Sequence, residues 1–349
     1  MSPSKKIRIL SIDGGGIRGV IPAFTVKYIE DYLKSRVPNT TIADYFDLIA
    51  GTSTGGILTC IYLTPEERKS KKAKYNATDA LDFYIKEGYN IFNAAKEKNI
   101  KRFWGLKSAA KYRSDNIENI FLRVFGDTHV SDLIKPSLIT TYNMDTKTAF
   151  FFTSHCDTEY RDFYVRDAAR STSSAPTYFN PPKIKNLAPK ASMEYLMNLD
   201  GSVFATNPSM CAYAEARKTN FQDRGINQPT ASQISILSLG TGAGFDLIGK
   251  EKSNQWNLLK WAESIPEIMM EGSCETVDFQ MQQLYKTLKE EQSTGYLRLN
   301  LPIEFRKFSP DIADASSKNI QALLDSAKKG VDYARENQNL DGFLDKLLE

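Results

Sequence analysis

Apolar positions in the first sixty residues follow two periods in turn, and together these predict strand, helix, strand, helix. Lys6 to Asp13 (KIRILSID) sends Ile7 and Ile9 one way and Leu10 and Ile12 the other. Apolar residues on both faces predict a central strand of a parallel sheet. From about Ile21 to Ser35 the spacing becomes helical, through Ile21, Phe24, Tyr28 and Val26, Ile29, Leu33, with Pro22 suited to the first turn. Phe46 to Ala50 predicts a second short strand, and Ile57, Leu58, Cys60, Ile61 and Leu63 a second, more apolar helix. A glycine-rich loop joins each strand to its helix, which is the opening of an α/β fold with a right-handed crossover.

Further strands are expected at Ser137 to Tyr142, Ala149 to Ser154, Tyr195 to Leu199, Ile234 to Leu239 and Tyr296 to Leu301. Asn254 to Glu290 and Lys318 to Glu349 read as helices with long polar faces. No repeat, low-complexity tract or Gly/Ser linker divides the chain. Residues 1–349 are therefore read as one domain whose accessory helices fill about 250–349.

Composition narrows the function classes. The 349 residues are 41% hydrophobic and 25% charged, an ordinary globular balance. Forty-five basic against 42 acidic residues leave a formal charge of +3, which gives nucleic-acid binding no support. Cys60, Cys156, Cys211 and Cys274 lie far apart with no histidine at zinc-ligand spacing, so neither a disulfide framework nor a zinc site is expected. The amino terminus lacks a signal-peptide core, and no run of about 18 apolar residues occurs. The expectation is a cytoplasmic protein that associates with membranes only peripherally.

Gly14, Gly16 and Gly19 fit the G-x-G-x-x-G of dinucleotide sites, but the ribose-binding acid expected about 20 residues on is missing from Lys34 to Thr40. Neither loop ends in the Gly-Lys-Ser/Thr of a P-loop. Gly51-Thr52-Ser53-Thr54-Gly55 is G-x-S-x-G at a strand-to-helix turn, the context of a nucleophile elbow. Side chains at Gly51 or Gly55 would crowd a turn that pushes the serine hydroxyl out at the carboxyl edge of the sheet. The helix that follows aims its positive end at developing negative charge. The same loop could simply cap a helix. Gly14, Gly15 and Gly16 on a neighbouring loop favour the elbow, because they offer backbone N–H groups to an oxyanion beside Ser53. Arg18 either strengthens that oxyanion hole, holds a lipid phosphate, or pairs with a carboxylate to fix the loop.

The base is the harder question. Only His129 and His155 exist, and both lie before Asp200-Gly201-Ser202, which follows the apolar run Tyr195 to Leu199 and so sits at a strand end. A Ser53, Asp127 and His155 triad is compatible with chain order. Asp200 acting directly on Ser53 is the other arrangement. An ordinary aspartate pKa of about 3.9 would make it a weak base, so desolvation and a strong oxyanion hole would have to compensate. Asp-Gly is also a common turn dipeptide.

With these residues in place, the sequence resembles the patatin-like phospholipases. Asp13 to Gly19 (DGGGIRG) is similar to their oxyanion-hole block, Gly51 to Gly55 (GTSTG) to the nucleophile block and Asp200-Gly201 to the base block. The similarity continues through Ala169 to Phe179 (ARSTSSAPTYF), Ser238 to Gly242 (SLGTG) and the tail from Asn319. Ser202 departs from the family's usual Gly or Ala, and its hydroxyl is placed to hydrogen-bond the carboxylate.

The resemblance implies a three-layer α/β/α fold with a central, mostly parallel sheet. It implies metal-free and cofactor-free hydrolysis of fatty-acyl esters of membrane glycerolipids, by a Ser53–Asp200 dyad through an acyl-serine. The absence of an Asp-x-Asp-x-Asp-Gly calcium loop agrees. Some bacterial relatives are antiphage effectors switched on by a cyclic nucleotide, so such an activator, and a homo-oligomer, belong among the expected partners. Two stretches suit an anionic lipid surface: Arg68 to Lys74, and Lys96 to Arg113 with Phe103, Trp104 and Leu106 interleaved. The rival classes are a catalytically inactive binding or storage protein and a dinucleotide-dependent oxidoreductase.

Overall fold

The computed structural model describes residues 6–93, 110–242, 257–289 and 294–348. In chain order the elements are β1 (Ile7–Ile12), α1 (Val20–Lys34), α2 (Ile42–Tyr45), β2 (Leu48–Thr52), α3 (Thr54–Leu63), α4 (Ala77–Asn93), α5 (Ser114–Phe125), β3 (Ser137–Asn143), β4 (Thr148–Phe152) and α6 (Val165–Thr172). There follow β5 (Lys183–Lys185), β6 (Tyr195–Asp200), α7 (Ser209–Lys218), β7 (Asn220–Phe221), β8 (Ile226–Asn227), β9 (Ile234–Leu239), α8 (Leu258–Lys286), β10 (Tyr296–Leu299), α9 (Ser317–Asn337) and α10 (Leu340–Leu348). Eight strands form one sheet in the order β10-β9-β1-β2-β3-β6-β5, with β4 also paired to β3.

The five strands from β10 to β3 are parallel, and β1 lies between β9 and β2. Alternation along these strands builds a core on each face. Ile7 and Ile9 of β1, Ile234 and Ile236 of β9, and Leu48 and Ala50 of β2 join the cluster beneath α7 and α8. Leu10, Ile12, Leu237, Leu239 and Ile49 join the larger cluster beneath α1, α3, α4 and α9. Helices thus cover both faces of a mostly parallel sheet, which is a three-layer α/β/α arrangement.

The far end departs from the parallel pattern. β4, β6 and β5 run antiparallel to their neighbours, and β3 turns straight back into β4 through a hairpin at 144–147. One edge of β3 is then shared. β2 covers Ser137 to Thr140, ending with Thr52 opposite Thr140. β6 covers Thr141 to Asn143 from the opposite direction, ending with Asp200 opposite Thr141. β4 occupies the other edge over Ile139 to Asn143. The two strand ends that carry Ser53 and Asp200 therefore meet head-on.

The expected strand positions recur, with ends shifted by up to about two residues. The tail with helical spacing from Lys318 forms two helices, separated where Asn339 takes a φ of 55°. No helix among the described residues is long and apolar enough to cross a membrane.

An ion pair fixes the carboxyl ends of the middle strands. Arg298 on β10 reaches across β9, bonding Ser238 Oγ at 2.9 Å, and clamps the Asp13 carboxylate with both terminal nitrogens, Nη1 lying 2.8 Å from Oδ1. Burial pushes the Asp13 pKa up, and the guanidinium opposes that shift. Removing one partner of a buried pair leaves an uncompensated charge, so Arg298→Met should lose about 3–5 kcal/mol in denaturant unfolding. The Asp13→Asn/Arg298→Met double variant should recover most of that loss.

Candidate active site

Ser53 follows β2 and precedes α3 with φ 54° and ψ −120°, a region that non-glycine residues rarely occupy and that costs on the order of 1–3 kcal/mol. Two contacts hold it there. Its N–H donates to Thr172 Oγ1 at 2.8 Å, and its carbonyl accepts from Ile57 N–H at 3.0 Å. Gly51 and Gly55 are required by close approach. A Cβ on Gly51 would overlap the Gly55 carbonyl, and one on Gly55 the Ile12 carbonyl, both rigid backbone.

Asp200 is fully buried and its N–H donates to the Ser174 carbonyl at 3.0 Å. Its carboxylate accepts from Ser202 N–H at 2.8 Å, and the hydroxyls of Ser53 and Ser202 lie near enough to lower its pKa. Desolvation dominates its electrostatics and lifts the pKa to about 6, against the hydrogen bonds, which lower it. Ser202 thus bonds the carboxylate through its backbone N–H. Asp200-Gly201 is also more than a turn, since Thr140 lies where a Gly201 Cβ would stand.

The glycine loop lies against this pair. A Cβ on Gly14 would come 2.6 Å from Ser202 Oγ and 3.3 Å from Ser53 Cβ. The three N–H groups of the loop are not equivalent, however. Gly14 N–H is already committed to the Thr206 carbonyl at 3.0 Å, while no acceptor among the described residues takes the N–H groups of Gly15 and Gly16. Thr54 N–H, at the start of α3, is equally unengaged. It was missed in the sequence, although the residue after the nucleophile is where an elbow places one oxyanion donor. The Arg18 guanidinium is buried with Nη1 3.6 Å from Glu267 Oε1, and the Arg18 N–H donates to the Gly15 carbonyl at 3.2 Å.

The triad of Ser53, Asp127 and His155 is not assembled. His155 Nε2 lies 2.8 Å from Glu215 Oε1, and Asp127 pairs with Arg166. Ser154, next to His155, bonds Ser137 at the amino end of β3, the opposite end from Thr141 and Asp200. His129 pairs with Asp162. Ser53 itself is only 8% exposed, so the elbow does not push the hydroxyl out into solvent as expected.

Thr172 and Ser174 are the positioning residues that sequence reasoning left without a role. They lie in ARSTSSAPTYF, where the neighbouring Arg170 bonds Ser174 Oγ, Ser114 Oγ and the Asn180 carbonyl and so fixes the end of α6. The basic run Arg68 to Lys74 follows the end of α3, whose Leu63 carbonyl bonds Ile134 just ahead of β3. It therefore sits at the opposite edge from Ser53, with Arg68 paired to Asp132 and Lys72 to Glu66. Of the Lys96 to Arg113 stretch, residues 96–109 lie outside the described residues. Lys111 lies within them and pairs with Asp311 at 3.6 Å.

A profile of the patatin-like phospholipases matches residues 10–213. Patatin-like protein 2 of Arabidopsis thaliana is 32% identical over 357 residues, covering 95% of this chain and 83% of its own length. A Solanum tuberosum protein named probable inactive patatin-3-Kuras 1 is 30% identical over 304 residues, covering 84% of this chain and 78% of its own. Among solved structures, human GIVD cytosolic phospholipase A2 superposes with a TM-score of 0.46 at 11% identity, over 99% of this chain and 60% of that one.

A buried carboxylate with a pKa of about 6 has two measurable consequences. If Asp200 is the base, kcat/KM rises as pH climbs through about 6 and then levels off. For stability the sign is reversed. The folded state holds this proton more tightly than the unfolded chain, so the group's stabilising contribution is full below about 3.8 and is lost as pH rises through about 6. Asp200→Asn should therefore unfold at a higher temperature than wild type at pH 8, with the advantage gone near pH 4. Scanning calorimetry at the two pH values reads this directly.

Proposed function

The chain belongs to the patatin-like phospholipase family, and on that premise we propose that it cleaves fatty-acyl esters of membrane glycerolipids with a Ser53–Asp200 dyad. The observation that carries this reading is the meeting of β2 and β6 on one edge of β3, which sets the Ser53 hydroxyl against a desolvated carboxylate. A base near pKa 6 is about two units stronger than a solvated aspartate and still mostly ionised at neutral pH.

Asp200 takes the proton from Ser53 Oγ as the oxygen attacks the acyl carbonyl. Charge then develops on the carbonyl oxygen, where N–H groups of Gly15, Gly16 and Thr54 have hydrogen-bonding capacity to spare. Collapse breaks the ester bond, and the departing alcohol oxygen takes the proton from Asp200. Water then gives its proton to Asp200 and attacks acyl-Ser53, and the proton returns to Ser53 Oγ as the fatty acid leaves. A strained serine beside a carboxylate whose pKa is raised by burial favours this reading over an inactive binding protein.

Three variants test the assignment on a short-chain ester. Ser53→Ala should abolish turnover and fluorophosphonate labelling. Asp200→Asn, which keeps the shape and removes the charge, should cost at least about 100-fold. His155→Ala should stay near wild type. A collapse in His155→Ala alongside an active Asp200→Asn would overturn the dyad.

A further inference from the structure

Thr241 lies in SLGTG, a stretch to which the dyad gives no part. β9 ends at Leu239, and the turn after it is pinned on both sides of Thr241. Gly240 N–H donates to the Leu299 carbonyl of β10 at 2.7 Å, and Gly242 N–H to Asn300 Oδ1 at 3.0 Å. Thr241 is buried, and its hydroxyl donates to the Gly14 carbonyl at 2.8 Å. Its side chain also takes the space that a Gly15 Cβ would need, with Thr241 Cβ 2.7 Å from that position. Thr241 is therefore packed directly on the loop whose Gly14 lies against Ser53 and Ser202.

Each N–H with capacity for an oxyanion belongs to a peptide unit whose carbonyl is already held. In a planar trans peptide the C=O and N–H point in opposite directions, so a bond to the oxygen fixes where the N–H points. The Ser53 carbonyl, in one peptide with Thr54 N–H, accepts from Ile57 N–H at 3.0 Å. The Gly15 carbonyl, in one peptide with Gly16 N–H, accepts from Arg18 N–H at 3.2 Å. Both of these braces are main-chain groups. The Gly14 carbonyl, in one peptide with Gly15 N–H, is braced by a side chain, the Thr241 hydroxyl.

We propose that Thr241 is a positioning residue for acyl transfer, its hydroxyl setting Gly15 N–H as an oxyanion donor. This deepens the Ser53 reading above and rests on it. Two effects act in the same direction. Glycine backbones lack the steric limits that hold a peptide in one orientation, and the hydrogen bond supplies that restraint. Donation to the carbonyl oxygen also polarises the amide, which strengthens its N–H as a donor. Both effects matter most as charge builds on the substrate carbonyl oxygen, so they act on kcat more than on substrate binding.

Steady-state kinetics on a short-chain ester test this with three variants. Thr241→Ser keeps the hydroxyl and loses the methyl, Thr241→Val keeps the shape and loses the hydroxyl, and Thr241→Ala loses both. Thr241→Ser should stay near wild type, while Thr241→Val and Thr241→Ala should each lower kcat about tenfold with KM nearly unchanged, a smaller effect than loss of a whole oxyanion donor. A packing role gives another order, with Thr241→Val active and Thr241→Ser impaired, and that order overturns the proposal. A second readout needs no turnover. Consecutive glycines occur only at 14–16 and 55–56, so with isotope-labelled glycine a carbonyl-to-amide NMR correlation contains only Gly15, Gly16 and Gly56. The Gly15 amide nitrogen should shift in Thr241→Val and Thr241→Ala and return in Thr241→Ser. Unchanged kcat in Thr241→Val, or a Gly15 resonance that stays in place, overturns the proposal and leaves Ser53-dependent turnover standing. If the wild-type protein cleaves no ester, the hydrolase reading falls, and a Gly15 resonance that moves still establishes the brace.

Discussion

The site depends on one edge of β3 being shared by two strands that run toward each other. Thr52 of β2 ends opposite Thr140, and Asp200 of β6 ends opposite Thr141. Neither strand can continue without colliding with the other, so both chains must turn out of the sheet within a residue or two. On the β2 side the escape is the strained Ser53 turn into α3. On the β6 side it is Gly201, packed on Thr140 where no side chain fits. A hydroxyl and a carboxylate are brought together by strand pairing, and the same crowding that forces the turns excludes water from the carboxylate.

Two buried aspartates at this sheet edge differ in the partners they meet. Desolvation raises the pKa of both. Asp13 meets a guanidinium that spans β9 to reach it, so it serves to bind three strands together. Asp200 meets hydroxyls and one N–H, with no cation among the causes of its shift. Its charge is left less compensated. A cation placed beside Asp200 would make the fold more stable at neutral pH and lower the pKa of the carboxylate.

Much of this was legible in the sequence, because the signals were local. The apolar pattern of Ile7 to Ile12 set a central strand with Ile7 and Ile9 in one core and Leu10 and Ile12 in the other. Glycines at 51 and 55 announced the sharp turn around Ser53. What escaped was carried by contacts between segments distant in sequence. That Gly14 N–H is consumed by Thr206, which shifts the free donors to Gly15, Gly16 and Thr54, depends on a loop 192 residues away. Thr172 and Ser174 had no pattern of their own to mark them. The basic run after α3 looked suited to lipid by composition, yet the direction of α3 carries it to the far edge of the sheet.

Arg18 links the glycine loop to helix α8. Its N–H holds the Gly15 carbonyl, and its buried guanidinium faces Glu267 of α8. Burial lowers the Arg18 pKa and raises that of Glu267, and the opposite charge of each works against the shift in the other. Pulling α8 away would leave a buried guanidinium without that partner, which is a far larger penalty than separating two apolar surfaces. Through one residue, whose backbone holds the Gly15 carbonyl and whose guanidinium faces Glu267, the loop after β1 is thus tied to a helix that begins more than 230 residues later in the chain.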